Sequence, residues 1–249
     1  MMKFLNNLKN KNKQWIAVVL LLALPQSFAQ LAAGQNSKKH SKACFTQGLI
    51  IQNNIVWESC GGYGISQLKK WDIETGKVIK RKRLDKKYFA EGLTEFNGDI
   101  YVLTWQAQKA FKVDKDTLEI TQEFKYKGQG WGLTHDGSHL IMSNGSSTLQ
   151  FLNPKTFEVI KTVQVQINGS AINYLNELEW IDGKIWANIF QTDYIVVIDP
   201  QSGNVVDKYH LPNLLIDYIQ KPGVLNGIAY DETTKKTWVT GKNWPLIFE

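Results

Sequence analysis

One four-residue phrase recurs five times along this chain: Gln47-Gly48-Leu49-Ile50, Glu91-Gly92-Leu93-Thr94, Trp131-Gly132-Leu133-Thr134, Asn176-Glu177-Leu178-Glu179 and Asn226-Gly227-Ile228-Ala229. The phrases start 44, 40, 45 and 50 positions apart (91 − 47, 131 − 91, 176 − 131, 226 − 176). A period of this size belongs to stacked or radial repeats. After each phrase comes a turn pair, Asn53-Asn54, Asn97-Gly98, Asp136-Gly137, Asp182-Gly183 or Asp231-Glu232. A β-rich run then follows, centred on Trp57, Tyr101, Ile141, Trp186 or Trp238. Strand, tight turn, strand is the reading. Four repeats continue through a second turn (Asp72–Gly76, Asp114–Thr117, Asn153–Thr156, Asp199–Gly203) into a fourth strand.

Four strands in about 40 to 45 residues make a propeller blade. The fold class expected is therefore all-β, a five-bladed β-propeller. A β-sandwich with coincidental Gly-Leu pairs is the competitor, and five copies in phase disfavour it. The fifth repeat ends without an outer strand, so the segment before Cys44 should close the ring. Gly34, Asn36, Ser37, Lys38 and Lys39 are poor strand formers there, which makes closure the weakest feature expected of the fold. Loops 168–174 and 212–224 are longer, and the second carries apolar residues suited to a helical turn over the channel mouth.

Residues 1–29 read as a secretory signal peptide, with Lys3, Lys9, Lys11 and Lys13, an apolar run from Ile16 to Leu24, and Ser27-Phe28-Ala29 before the cut. Cleavage after Ala29 leaves residues 30–249, 220 residues or 44 per repeat, as one domain. The implied product is exported, periplasmic or secreted, with no membrane anchor. Four lysines leave with the signal, so the net charge of +6 falls to 25 − 23 = +2. The remaining basic run, Lys80-Arg81-Lys82-Arg83, suits a solvated outer strand and not a nucleic-acid face.

Cys44 and Cys60 flank the first hairpin, and export permits a disulfide. Folding about Asn53-Asn54 sets position 60 opposite 47, so Cys44 is near but out of register and the bridge stays open either way. His135 and His139 straddle a hairpin turn, which removes the helical geometry of a metal-binding pair.

First strands line a propeller's channel, so the leading residues Gln47, Glu91, Trp131, Asn176 and Asn226 form a ring about its axis. Four of the five carry hydrogen-bonding side chains, a composition that suits a site better than a packed core. A second tier lies four residues beyond each second-strand landmark, at Trp105, Phe190 and Lys242, where loops surround the mouth. Trp57, Trp186 and Trp238 fall mid-strand and read as core.

At these residues the chain resembles the glutamine cyclotransferase family, the plant and bacterial glutaminyl-peptide cyclotransferases. The resemblance runs from Phe45-Thr46-Gln47-Gly48-Leu49, Glu58-Ser59 and Tyr63-Gly64 through the repeated phrases to Trp186-Ala187-Asn188-Ile189 and Thr240-Gly241-Lys242. It implies functional positions at Phe45, Gln47, Glu91, Trp105, Trp131, Asn176 and Lys242. Phe190 stands where the family commonly has Trp, and His40-Ser41-Lys42 replaces a His-Asp-Pro turn.

The implied reaction closes a peptide's N-terminal glutamine to pyroglutamate with release of ammonia, on a monomer, with no metal or cofactor. Glu91, the only acid in the ring, is then the proton relay. Lys242 and Asn176 hold the amide oxygen, Gln47 fixes the amide or amine, and Phe45, Trp105, Trp131, Phe190 and Asn226 contact substrate. Two rivals remain at this level. One is a metal-dependent lactonase-like propeller with Glu91, Asn176 and Asn226 as ligands; the other is a non-catalytic peptide-binding propeller.

Overall fold

The computed structural model describes residues 36–212, 214–215 and 222–249. The signal-peptide reading of residues 1–29 lies outside them, as does most of the apolar stretch expected to form a helical turn before Val224. Strand β1 (Ser37–Lys39) comes first. Blade 1 is β2 (Thr46–Gln52), β3 (Ile55–Cys60), β4 (Gln67–Asp72) and β5 (Val78–Arg83). Blade 2 is β6 (Ala90–Phe96), β7 (Asp99–Thr104), β8 (Lys109–Asp114) and β9 (Ile120–Lys125). Blade 3 is β10 (Leu133–His135), β11 (Leu140–Met142), β12 (Thr148–Leu152) and β13 (Val159–Gln164). A small hairpin, β14 (Gln166–Ile167) and β15 (Ser170–Ala171), separates it from the next. Blade 4 is β16 (Leu175–Ile181), β17 (Lys184–Ile189), β18 (Tyr194–Ile198) and β19 (Val205–His210). Blade 5 is β20 (Leu225–Asp231), β21 (Lys236–Gly241) and β22 (Leu246–Phe248), completed by β1 on its outer edge. Five four-stranded antiparallel sheets result, the five-bladed propeller that the repeats imply.

The turns behave as their residues dictate. Asn53 and Asn54 take φ of 51° and 64°, Asn97 and Gly98 take 54° and 88°, and Asp182 and Gly183 take 48° and 77°; two positive φ in succession is the hairpin type that Asn, Asp and Gly favour. The second turns are also built alike. The backbone N–H of Gly76, Leu118, Phe157 and Gly203 donates to the carbonyl four residues back, and each takes a positive φ. Leu118 and Phe157 accept that conformation because their side chains are buried between blades.

Side chains alternate along a strand, so each first strand feeds two cores. Ile50 points to blade 2, among Leu93, Ile100 and Phe111, while Leu49 and Ile51 point to blade 5, among Ala229, Trp238 and Ile247. Five clusters of this kind, each shared by consecutive blades, run around the ring. Trp57 and Trp238 are buried in them, and Trp186 stacks on Tyr209 at 4.9 Å.

The N-terminal segment closes the ring as expected, despite its composition. Ser37, Lys38 and Lys39 pair with Phe248, Ile247 and Leu246. The strand is only three residues long with little buried side chain, so backbone bonding suffices; His40 N–H continues it to Pro245 O at 2.7 Å. Beyond it the seam carries a buried charge cluster. His40 Nε2 lies 2.7 Å from Glu58 Oε1, which also accepts from Thr46 Oγ1 at 2.7 Å, and Lys69 Nζ is 2.6 Å from Glu58 Oε2. Burial alone would raise the Glu58 pKa, but His40 and Lys69 hold the carboxyl well below the usual range.

Cys44 and Cys60 are bridged, with Cα atoms 4.9 Å apart. The register expected from the sequence was one residue out. A bulge at Gln47 sets Cys60 opposite Thr46 and not opposite Gln47, which brings Cys44 within reach.

Candidate active site

The same bulge recurs where each first strand begins. In blade 2 the register shifts between Ala90 and Leu93, in blade 4 between Leu175 and Leu178, and in blade 5 between Leu225 and Ile228. In blade 3, Trp131 N–H donates to Ser143 O and Ser143 N–H to Gly132 O, which sets two residues against one there as well. Bulges re-aim side chains. Here they detach Gln47, Glu91, Trp131, Asn176 and Asn226 from strand alternation just where the five strands converge. Glycine follows in four cases: at Gly48, Gly92 and Gly132 the neighbouring strand's backbone leaves no room, a Cβ on Gly132 standing 2.0 Å from Asn176 O, and Gly227 takes a φ of 116°.

Above the bulges lies a cavity of about 270 Å³, lined by Phe45, Gln47, Phe89, Glu91, Trp105, Trp131, Asn176, Phe190 and Lys242. Four buried polar side chains and five half-buried aromatic ones form it. Gln47 Nε2 donates to Glu91 Oε1 at 3.0 Å. Lys242 Nζ sits 4.8 Å from the centroid of Phe45 and 4.7 Å from that of Phe190, a cation between two rings. Glu91 and Lys242 make no direct ion pair, although each feels the other's charge. Burial dominates both. It raises the Glu91 pKa well above the carboxylate range against the pull of Lys242, and it lowers that of Lys242 to about 8 against the pull of Glu91. Burial thus works against the charged form of both groups, raising the carboxyl and lowering the amine.

Two other cavities are less suited to chemistry. A groove of about 700 Å³ follows the closure seam, but its Lys69 is already neutralised by Glu58. A cavity of about 280 Å³ surrounds the far ends of the first strands. There Glu95 accepts from Gln52 Nε2 and Gly98 N–H, and Glu179 from Tyr230 N–H. Among the described residues, the metal-capable group His40, Cys44 and Glu58 is committed elsewhere, with Cys44 in the disulfide and Glu58 on three partners. His135 and His139 flank the expected hairpin, with His139 Nδ1 3.0 Å from Asp136 Oδ2.

Residues 28–249 match the glutamine cyclotransferase family model. The chain belongs to that family. Among its relatives, glutaminyl-peptide cyclotransferase of Arabidopsis thaliana is 38% identical over 217 residues, spanning 84% of this chain and 68% of the plant protein. Glutaminyl cyclase of Myxococcus xanthus, solved by crystallography, superposes with a TM-score of 0.80 at 32% identity over 86% of this chain and 93% of its own.

In this cyclotransferase, eight of the nine residues singled out from sequence line one cavity; Asn226 does not. It is fully buried beneath the floor, where Nδ2 donates to Thr46 O at 2.8 Å and lies 3.4 Å from Gln47 Oε1. The blade 5 bulge turns it toward blade 1, so it supports Gln47 and does not face the cavity.

Three residues of the site escaped the sequence reading. Phe89 lines the cavity two positions before Glu91, as Phe45 does two before Gln47, a phase match visible in the repeats. Gln129, at the same position in blade 3, accepts from the indole N–H of Trp105 at 2.8 Å and of Trp131 at 2.9 Å, fixing both rings. Glu177 replaces the glycine of the other four phrases. Its Oε2 accepts from Ile228 N–H at 2.8 Å and its carboxyl also from Leu49 N–H, joining blades 5 and 1 to blade 4 below the cavity. Burial, aided by Glu179, raises the pKa of that acid well above the carboxylate range against the pull of its backbone donors.

Proposed function

We propose that this chain is a glutaminyl-peptide cyclotransferase that uses Glu91 as its proton shuttle. The observation carrying the reading is the cavity itself: a carboxyl, an amine and two carboxamides converge inside an aromatic enclosure, with the carboxyl's pKa raised by burial.

In the reaction, the α-amine nitrogen of an N-terminal glutamine attacks its own side-chain carbonyl carbon. A C–N bond forms, and the carbonyl electron pair moves to oxygen. Ionised Glu91 takes the proton that the attacking nitrogen sheds, then gives it to the departing amide nitrogen as that C–N bond breaks. Ammonia leaves, the carbonyl reforms, and Glu91 is regenerated, so no water or co-reactant is consumed. Lys242 and the Asn176 amide donate to the oxygen as it becomes an oxyanion. Gln47 holds Glu91 Oε1 and turns the other carboxylate oxygen to substrate. The five rings hold the glutamine in the folded conformation that brings amine and carbonyl together.

The enzyme acts without a metal ion, as a monomer, in the periplasm or outside the cell. Its basic leader, apolar core and Ser27-Phe28-Ala29 cleavage site support export. Among the described residues no helix is long and apolar enough to cross a membrane. Incubating the protein with a Gln-initiated peptide and measuring ammonia and pyroglutamyl product tests the reaction. An Asn-initiated peptide is the control. Size exclusion and N-terminal analysis of the exported protein test the rest.

A further inference from the structure

Phe45, Phe89 and Trp105 form an aromatic wall that does not stop at the cavity. Phe45 meets Phe89 edge-on with centroids 6.1 Å apart, and Phe89 meets Trp105 at 5.6 Å. Tyr63 extends the wall outward, 5.4 Å from Phe89 and 6.4 Å from Trp105, yet its side chain is 53% exposed. Among the described residues it is the exposed ring in contact with the rings of the cavity. An aromatic side chain left in water beside a site is a surface for something apolar.

The segment that carries Tyr63 is braced. Ser66 N–H and Oγ both bond Gly62 O at 2.8 Å, Gly64 N–H bonds Lys86 O at 3.0 Å, and Ser66 Oγ accepts from Ala90 N–H at 2.9 Å, one residue before Glu91. Gly61 lets the Phe89 ring lie against this segment, since a Cβ there would stand 2.3 Å from the ring as placed. Tyr63 is therefore a fixed platform, registered to the same strand that holds Glu91, and binding on it orders little additional backbone.

We propose that Tyr63 is the binding platform for the side chain of the residue following the N-terminal glutamine, and that it selects peptides in which that residue is aromatic or apolar. The inference rests on the cyclisation reading. With the glutamine enclosed among Gln47, Glu91 and Asn176, the rest of the peptide has to leave through the mouth, and Tyr63 is the continuation of the wall on that side. The subsite is remote from the bonds that change, so it contributes equally to ground and transition states and acts on KM.

The test compares Gln-Phe-amide with Gln-Gly-amide in wild type, Tyr63→Ala, Tyr63→Phe and Tyr174→Ala. Tyr174 is the control because it is another exposed tyrosine near the mouth, bonded through its backbone to Phe190. Wild type is expected to favour the phenylalanyl peptide by about three- to tenfold in kcat/KM, through KM, as one aromatic pair contributes. That ratio should fall toward one in Tyr63→Ala and persist in Tyr63→Phe and Tyr174→Ala. A ratio near one in wild type, an unchanged ratio in Tyr63→Ala, or loss of the ratio in Tyr174→Ala instead would overturn the assignment. No ammonia from either peptide would overturn the cyclisation reading, and the subsite with it.

Discussion

Gln47 donates to Glu91 across the seam between blades 1 and 2, at 3.0 Å, with both side chains buried. Because Glu91 Oε1 is taken, a single carboxylate oxygen remains to exchange protons with substrate. Asn226 in turn holds Gln47 from below, so three of the five bulged residues form one chain that orients Glu91, the proposed shuttle.

Glu91→Gln keeps the size and the Gln47 contact but carries no proton. Its kcat is expected to fall by at least a hundredfold, about 2.7 kcal/mol, within the range of general acid–base catalysis. Its thermal unfolding should match wild type. Stopped assays on Gln-initiated peptides, with calorimetry of the same samples, check both halves.

Lys242 is charged below about pH 8 and neutral above, since burial lowers its pKa. Oxyanion stabilisation should therefore fade as pH rises through that value, and kcat/KM should decline on the alkaline side. In Lys242→Arg the cation persists, so whatever activity remains should lose that limb. A pH–rate profile of each protein shows it, and an identical alkaline limb in both would assign the titration elsewhere.

Repetition decided what was legible in the sequence. Five blades, Trp131 and most of the cavity's polar groups follow from a phrase that returns in phase, Trp105 and Phe190 from the second strands beside it and Phe45 from the family resemblance, while Phe89 was readable by the phrase's own rule. Single events were not. One bulge moves Cys60 by one partner and makes the disulfide; strand alternation alone carries no sign of it. Glu177 departs from the repeat, and its role as a pin between blades depends on strands far apart in the chain. The closing strand β1 was placed by topology against its own composition, because a three-residue edge is held by backbone and anchored by His40 on Glu58.

That anchor has a stability signature. Removing the charge in Glu58→Gln leaves Lys69 buried without its counter-ion, a loss of about 3 to 5 kcal/mol. Each kcal/mol shifts the melting point of a domain this size by roughly 2 to 4 °C. The folded pKa of Glu58 is depressed, so its contribution is present above the unfolded value near ~4.3 and is lost as pH falls below it. Melting points of wild type and Glu58→Gln should differ at neutral pH and converge in acid.

Cleavage after Ala29 would expose Gln30, which would make the mature enzyme a substrate of its own kind. Intact-mass measurement of exported wild type is expected to show Gln30 as pyroglutamate, lighter by one ammonia. The Glu91→Gln protein, recovered promptly, should retain free glutamine.

The central claim is cyclisation by the cavity's own side chains, and ammonia release from Gln-Phe-amide after exhaustive chelation tests it most directly. One ammonia per pyroglutamyl product, at the untreated rate and lost in Glu91→Gln, is the predicted result. No ammonia from wild type, or activity that chelation removes and a divalent ion restores, would contradict it.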